Sequence, residues 1–123
     1  MAKQPTLLEM SLDRWTHLIA LRGECDLHVA PALDRQLRDA IDEGRNQLIV
    51  DLTDVTSLDS TVLGALAGGL RRAQRREGGL AVVCPTGAGV RRVFEVTGLE
   101  NVISVVASRS DARRALAGAV ASS

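Results

Sequence analysis

Apolar positions along the chain fall into short runs whose spacing changes from strand-like to helical and back. Residues 7–12 and 15–21 are apolar-rich and separated by Asp13-Arg14, which predicts two strands joined as a hairpin. Pro31 then opens a helix through about Glu43, with Leu33, Leu37, Ala40 and Ile41 on one face and Gly44 placed to end it. Residues 47–52 are apolar apart from Asp51 and read as a strand buried on both faces, followed by a loop rich in Asp and Thr. A second helix is expected from Ser60 or Thr61 to about Arg76, with Leu63, Leu66, Leu70 and Ala73 as its core stripe and Gly78-Gly79 as its stop.

The remainder repeats the alternation. Residues 80–83 form a strand, Thr86 begins a loop into a short helix carrying Val90, Val93, Phe94 and Val96, and Gly98 ends that helix. Residues 102–106 form the last strand, and Ser110 caps a final helix over 111–119. The order β-β-α-β-α-β-α-β-α implies an α/β fold with a parallel or mixed sheet covered by helices. No linker or internal repeat divides the 123 residues, so the chain reads as a single domain with its core over about 7–116 and frayed tails at 1–5 and 121–123.

Composition narrows the possible functions. Trp15 and Phe94 are the only aromatic residues, so the core is aliphatic and base stacking on an aromatic platform is not expected. Basic and acidic residues balance at 15 each, so no net field draws the chain to nucleic acid or to an anionic membrane. The cluster Arg71, Arg72, Arg75 and Arg76 reads as cations complementing the negative end of a helix. Cys25 and Cys84 match neither a zinc ligand set nor a Cys-x-x-Cys pair and read as reduced packing thiols. A redox pair between them is the minor alternative. No metal or other cofactor is expected. The start M-A-K-Q-P-T lacks the apolar region of a signal peptide, and the longest small-apolar run, 62–70, is far below the ~20 residues of a membrane span, so the expected location is the cytoplasm.

The candidate chemistry lies in S-L-D-S-T-V-L-G, residues 57–64, where a buried strand gives way to a helix. Asp59 or Ser60 falls at the N-cap, and Asp, Ser and Thr all accept hydrogen bonds from first-turn amides. Three such residues exceed what one cap needs, and helix starts at the ends of buried strands are where α/β folds place function. A hydroxyl there can carry a phosphate, because the free amides and the dipole favour an added anion.

Four segments carry a family resemblance: G-E-C-D-L-H-V-A-P-A-L (23–33), V-D-L-T-D-V-T-S-L-D-S-T-V-L-G (50–64), G-G-L-A-V-V (78–83) and V-R-R-V-F-E-V-T-G-L (90–99). Their order and spacing resemble the STAS domain, and the chain is similar over nearly all its length to stand-alone bacterial anti-sigma factor antagonists. The resemblance implies a mixed sheet of four to five strands with about four helices packed mainly on one side. It implies a positive regulator of stress-type transcription that binds an anti-sigma factor of the serine-kinase class and so releases the sigma factor. The resemblance further implies that phosphorylation by that kinase at Ser60, or alternatively Thr61, ejects the antagonist and that a serine phosphatase restores it. By the same resemblance Glu24, Asp26, Asp59, Ser60, Thr61, Val62 and Leu63 form the partner-binding surface. The family usually has glycine where this chain has Val62, so the docking or kinase contact is expected to differ there.

Two other readings compete. An enzyme would need a base beside Ser60, and only His17, inside a strand, and His28, before the first helix, are available; no G-x-S-x-G elbow surrounds the serine, so the chain reads as a non-enzyme. A STAS adaptor or accessory subunit, bound to a small ligand or to a sensor or transporter complex without a phospho-switch, keeps the fold and changes the role. The neutral charge balance and the resemblance point to a monomer.

Overall fold

The N-terminal hairpin forms because the polar pair Asp13-Arg14 separates two apolar-rich runs. In the computed structural model, which describes residues 6–121, strand β1 (Thr6–Ser11) pairs antiparallel with β2 (Thr16–Cys25), Leu7 opposite Leu21 and Glu9 opposite Ile19. Asp13 Oδ1 accepts the Trp15 N–H at 2.8 Å and closes the corner. The expected frayed tails 1–5 and 122–123 lie outside the described residues. Ala121, expected to fray with them, instead closes the final helix.

From β2 the chain alternates α1 (Ala30–Asp42), β3 (Gln47–Leu58), α2 (Ser60–Arg75), β4 (Gly79–Val83), α3 (Gly89–Thr97), a 3-10 turn (Leu99–Asn101), β5 (Ser104–Val106) and α4 (Arg109–Ala121). The strands lie in sequence order, β1-β2-β3-β4-β5, with β2 to β5 parallel. Successive right-handed crossovers in one direction put α1 and α2 on one face of the sheet. Ile19, Leu48, Val50, Leu52 and Val82 meet Leu33, Leu37, Leu66, Leu70 and Phe94 from α1, α2 and α3 there. Leu18, Ile49, Ala81 and Val83 face the other way and meet Ala112 and Leu116 of α4. The five-stranded mixed sheet with three helices on one face and one on the other is the expected α/β architecture.

Several local expectations shift by a residue or more. The α2 stripe is Val62, Ala65, Leu66, Gly69, Leu70 and Ala73; Leu63 is only half-buried. A Cβ on Gly69 would stand 2.8 Å from Leu37 Cδ1, so glycine there sets how closely α2 approaches α1. The helix ends at Arg75, and the left-handed residue of the turn that follows is Glu77 at φ 62° rather than either glycine of the pair. Gly98 at φ 76° ends α3 as expected, but Val96 faces solvent. The cap of α4 is Ser108, whose Oγ accepts the Asp111 N–H at 3.1 Å, so the helix begins before the expected Ser110.

The largest departure concerns β2 and β3. Both run past the end of β4, whose last residue, Val83, pairs with Asp51. Residues 22–25 and 54–58, read as loops from sequence, continue the parallel ladder with Gly23 opposite Val55, Glu24 opposite Ser57 and Cys25 opposite Leu58. Two register shifts bend this two-stranded extension, and Gly23 at φ 80° sits at one of them, a backbone angle that disfavours any side chain.

Candidate functional site

The bent extension delivers the ends of β2 and β3 to a common corner, where the start of α2 meets the β2–α1 loop. The Asp59 N–H donates to the Cys25 carbonyl at 3.2 Å and ties the two strand ends together. The Asp59 side chain caps α2: its Oδ1 accepts the Thr61 N–H at 3.0 Å and the Val62 N–H at 3.3 Å, and also the Thr61 hydroxyl. The cap is therefore Asp59, and Ser60 is the first residue of the helix. Across the corner Asp26 Oδ1 accepts the His28 N–H at 2.9 Å and lies 3.1 Å from His28 Nδ1, an Asx turn that leads into α1.

Both carboxylates are held below the ordinary range. The Thr61 hydroxyl is the main cause for Asp59, with the amides of Val62, Thr61 and Leu27 adding to it. The His28 amide is the main cause for Asp26, while the neighbouring Asp59 charge opposes it. The corner is thus anionic at neutral pH, and the exposed side chain of Glu24 extends the same charge along β2.

Ser60 and Thr61 are both exposed, but their hydroxyls differ. Thr61 Oγ1 is engaged with Asp59, whereas Ser60 Oγ has no hydrogen-bond partner among the described residues. Val62, expected on the docking surface, is fully buried in the main core, so its side chain offers nothing to a partner and its contrast with glycine is a matter of packing. Leu63 is half-buried against the same core. Leu27 was missed: it is 58% exposed at this corner, and its N–H supports Asp59. Its signal in the sequence was an apolar residue between Asp26 and His28 that fits no strand or helix stripe.

Among the described residues neither histidine makes a hydrogen bond to Ser60. His17 is buried with Nε2 3.3 Å from Glu9 Oε2, and His28 turns its Nδ1 to Asp26. The cysteine pair is overturned. β3 lies between β2, which ends at Cys25, and β4, which Cys84 directly follows, so at least two strand spacings, about 9.5 Å, separate them. A disulfide needs Cα atoms within roughly 7 Å. Both thiols are free and buried, and burial, aided by Asp26, pushes Cys25 up to about 11; burial likewise raises Cys84. Among the described residues no three His, Cys, Asp or Glu side chains gather where they could hold a metal, and no helix is long and apolar enough to cross a membrane.

Comparison with known proteins bears on the family and the fold. Residues 9–107 match the family model described as "Mlab, STAS domain". An anti-sigma-B factor antagonist of Staphylococcus epidermidis is 29% identical over 87 residues, which span 71% of this chain and 80% of that protein. The crystal structure of an anti-sigma factor antagonist from Mycobacterium paratuberculosis superposes with a TM-score of 0.79 at 27% identity, covering 92% of this chain and 94% of that one. The phosphorylated form of the Bacillus cell fate determinant SpoIIAA has a TM-score of 0.67 at 22% identity, covering 89% and 97% of the two chains, a likeness of fold alone.

Proposed function

The chain belongs to the STAS domain family, and on that premise we propose that it is an anti-sigma factor antagonist whose docking face is the Asp59-Ser60 corner. Its homologues are anti-sigma factor antagonists. In this reading the unmodified protein binds an anti-sigma factor that is also a serine kinase, and the sigma factor is released. Phosphate transfer to Ser60 ends the complex, and a serine phosphatase returns the protein to its binding form. Glu24, Asp26, Asp59, Thr61 and Leu27 frame the contact.

The observation that carries the switch is the unpartnered, exposed Ser60 hydroxyl at the first position of α2. It favours Ser60 over Thr61, whose hydroxyl would first have to leave Asp59. A phosphate brings about −1.5 to −2 charges to a corner that already holds two ionised carboxylates. The helix dipole tolerates it in the free protein. A docked interface does not: leaving a charge unpaired there costs about 2–5 kcal/mol or more, some tens- to several-thousand-fold in affinity. The constitutive adaptor is the second reading; Val62, which stands where the family usually has glycine, is buried and presents no side chain to a partner in either.

The test is a pull-down from native lysate with the wild-type protein and its Ser60→Glu and Ser60→Ala variants, read by mass spectrometry. A kinase-like anti-sigma factor retained by wild type and Ser60→Ala but lost with Ser60→Glu supports the switch. The same partner retained by all three would replace it with the constitutive adaptor.

A further inference from the structure

The far end of α2 carries a second feature, independent of the Ser60 corner. Arg38 of α1, Arg72 and Arg75 of α2 and Arg76 just past its end line an open groove of about 210 Å³ between the two helices, with Ile41 and Asp42 completing its wall. Asp34 braces one side: its Oδ2 accepts from Arg38 Nε at 2.8 Å and its Oδ1 from Arg72 Nη1 at 3.2 Å. Gly68 makes room for that brace, since a Cβ there would stand 3.3 Å from Arg72 Nη1. Arg75 and Arg76 have no carboxylate partner among the described residues, while Arg38 and Arg72 share one.

Helix ends attract cations, and the negative end of α2 accounts for Arg72 and Arg75 in its last turn. It does not account for Arg38, because the last turn of α1 holds no basic residue and Arg38 enters from further back. Nor does it require the cations to surround a concavity. Four guanidinium groups against the two carboxylates of Asp34 and Asp42 leave the groove with an excess of two positive charges. Planar guanidinium forks match phosphate oxygens in bidentate fashion.

We propose that this groove binds an anion bearing two phosphate groups. Arg75 and Arg76 supply the free donors, and Arg38 and Arg72, fixed by Asp34, supply the preorganised wall. The site lies about 22 Å along α2 from Ser60, so it is not an acceptor for that residue's own phosphate. Two sources share the chemistry: a free diphosphate, as in pyrophosphate or a nucleotide, and a lipid headgroup with two phosphates, as in cardiolipin.

Calorimetric titration with pyrophosphate at about 0.1 M salt tests the site in the wild type, in Arg75→Gln/Arg76→Gln and in a charge-matched control, Arg35→Gln/Arg92→Gln. All four replaced side chains are exposed, so an unchanged circular dichroism spectrum and melting temperature are expected and are checked first. The wild type and the control should bind one pyrophosphate, with affinity at least about tenfold weaker in the groove variant. No saturable heat in the wild type, or equal loss in the control, overturns the proposal. Where pyrophosphate binds, co-sedimentation with cardiolipin vesicles that pyrophosphate reverses names the lipid as source; absence of co-sedimentation names the free anion.

Discussion

The two ends of α2 are built on opposite terms. At its start, Asp59 holds the first turn through exposed hydrogen bonds, two carboxylates face each other across the corner, and the Ser60 side chain is free. At its end, positive side chains surround an open groove, but the backbone beneath them is clamped. Asn46 Nδ2 donates to the Arg76 carbonyl at 2.6 Å, the Gly79 N–H donates to the Asn46 carbonyl at 3.0 Å, and a Cβ on Gly78 would lie 1.9 Å from that same oxygen. The anionic end can therefore accept a change of charge without moving the fold. The cationic end can accept changes of side chain but no change of backbone.

The sharpest way to break this comparison is Gly78→Ala. The clash is with backbone, which cannot swing aside, so a loss of about 3 kcal/mol or more is expected in urea unfolding. A loss under about 1 kcal/mol would show that the exit from α2 is not clamped.

Asp51→Asn comes next and probes the sheet between the two ends. Burial works against the Asp51 carboxylate, yet Thr53 and Arg109, the latter at 2.6 Å, hold it below its ordinary range. Arg109 is half exposed, so the expected cost at pH 7 is only about 1–2 kcal/mol. A depressed folded value means that this stability is complete above the unfolded value of about 3.9 and is lost as pH falls through the folded one. Wild-type and Asp51→Asn unfolding curves should therefore converge below about pH 4; curves that stay parallel would remove the ion pair from the account.

Asp59→Ala should lower the melting temperature by roughly 5 °C, the ordinary effect of losing an N-cap, with no change at the other end of the helix. A drop as large as that of Gly78→Ala would erase the contrast between the two ends. Smallest of all, Arg75→Gln/Arg76→Gln should leave the melting temperature within about 2 °C, because exposed cations contribute little to stability. A larger fall would turn the groove into a structural feature.

Element types and order were legible because each strand and helix carries its own period and punctuation. The helix over 30–42 is written in Leu33, Leu37, Ala40 and Ile41, and Gly98 marks the end of α3 by the left-handed angle it adopts. The corner was legible in part, since Asp59, Ser60 and Thr61 are residue types that a helix start selects. What stayed hidden was which hydroxyl is free. That depends on Asp59 Oδ1 choosing Thr61, a matter of angles around the first turn.

The polar run 53–57 gave no sign of a strand because its pairing is supplied by residues 22–25, some thirty positions earlier, across two bulges. Val62 read as surface by its place in a motif, whereas the packing of α2 against the sheet turned it inward. Cys25 and Cys84 read as possible neighbours until the sheet order placed β3 between them. By itself, then, the sequence determined the α/β alternation, the aliphatic core and the polar corner at the head of α2, because these follow from local propensity and patterning. The tertiary structure alone decided the bent ribbon beneath that corner, the direction of Val62 and the gathering of Arg38 with Arg72, Arg75 and Arg76, because each depends on contacts between segments distant along the chain.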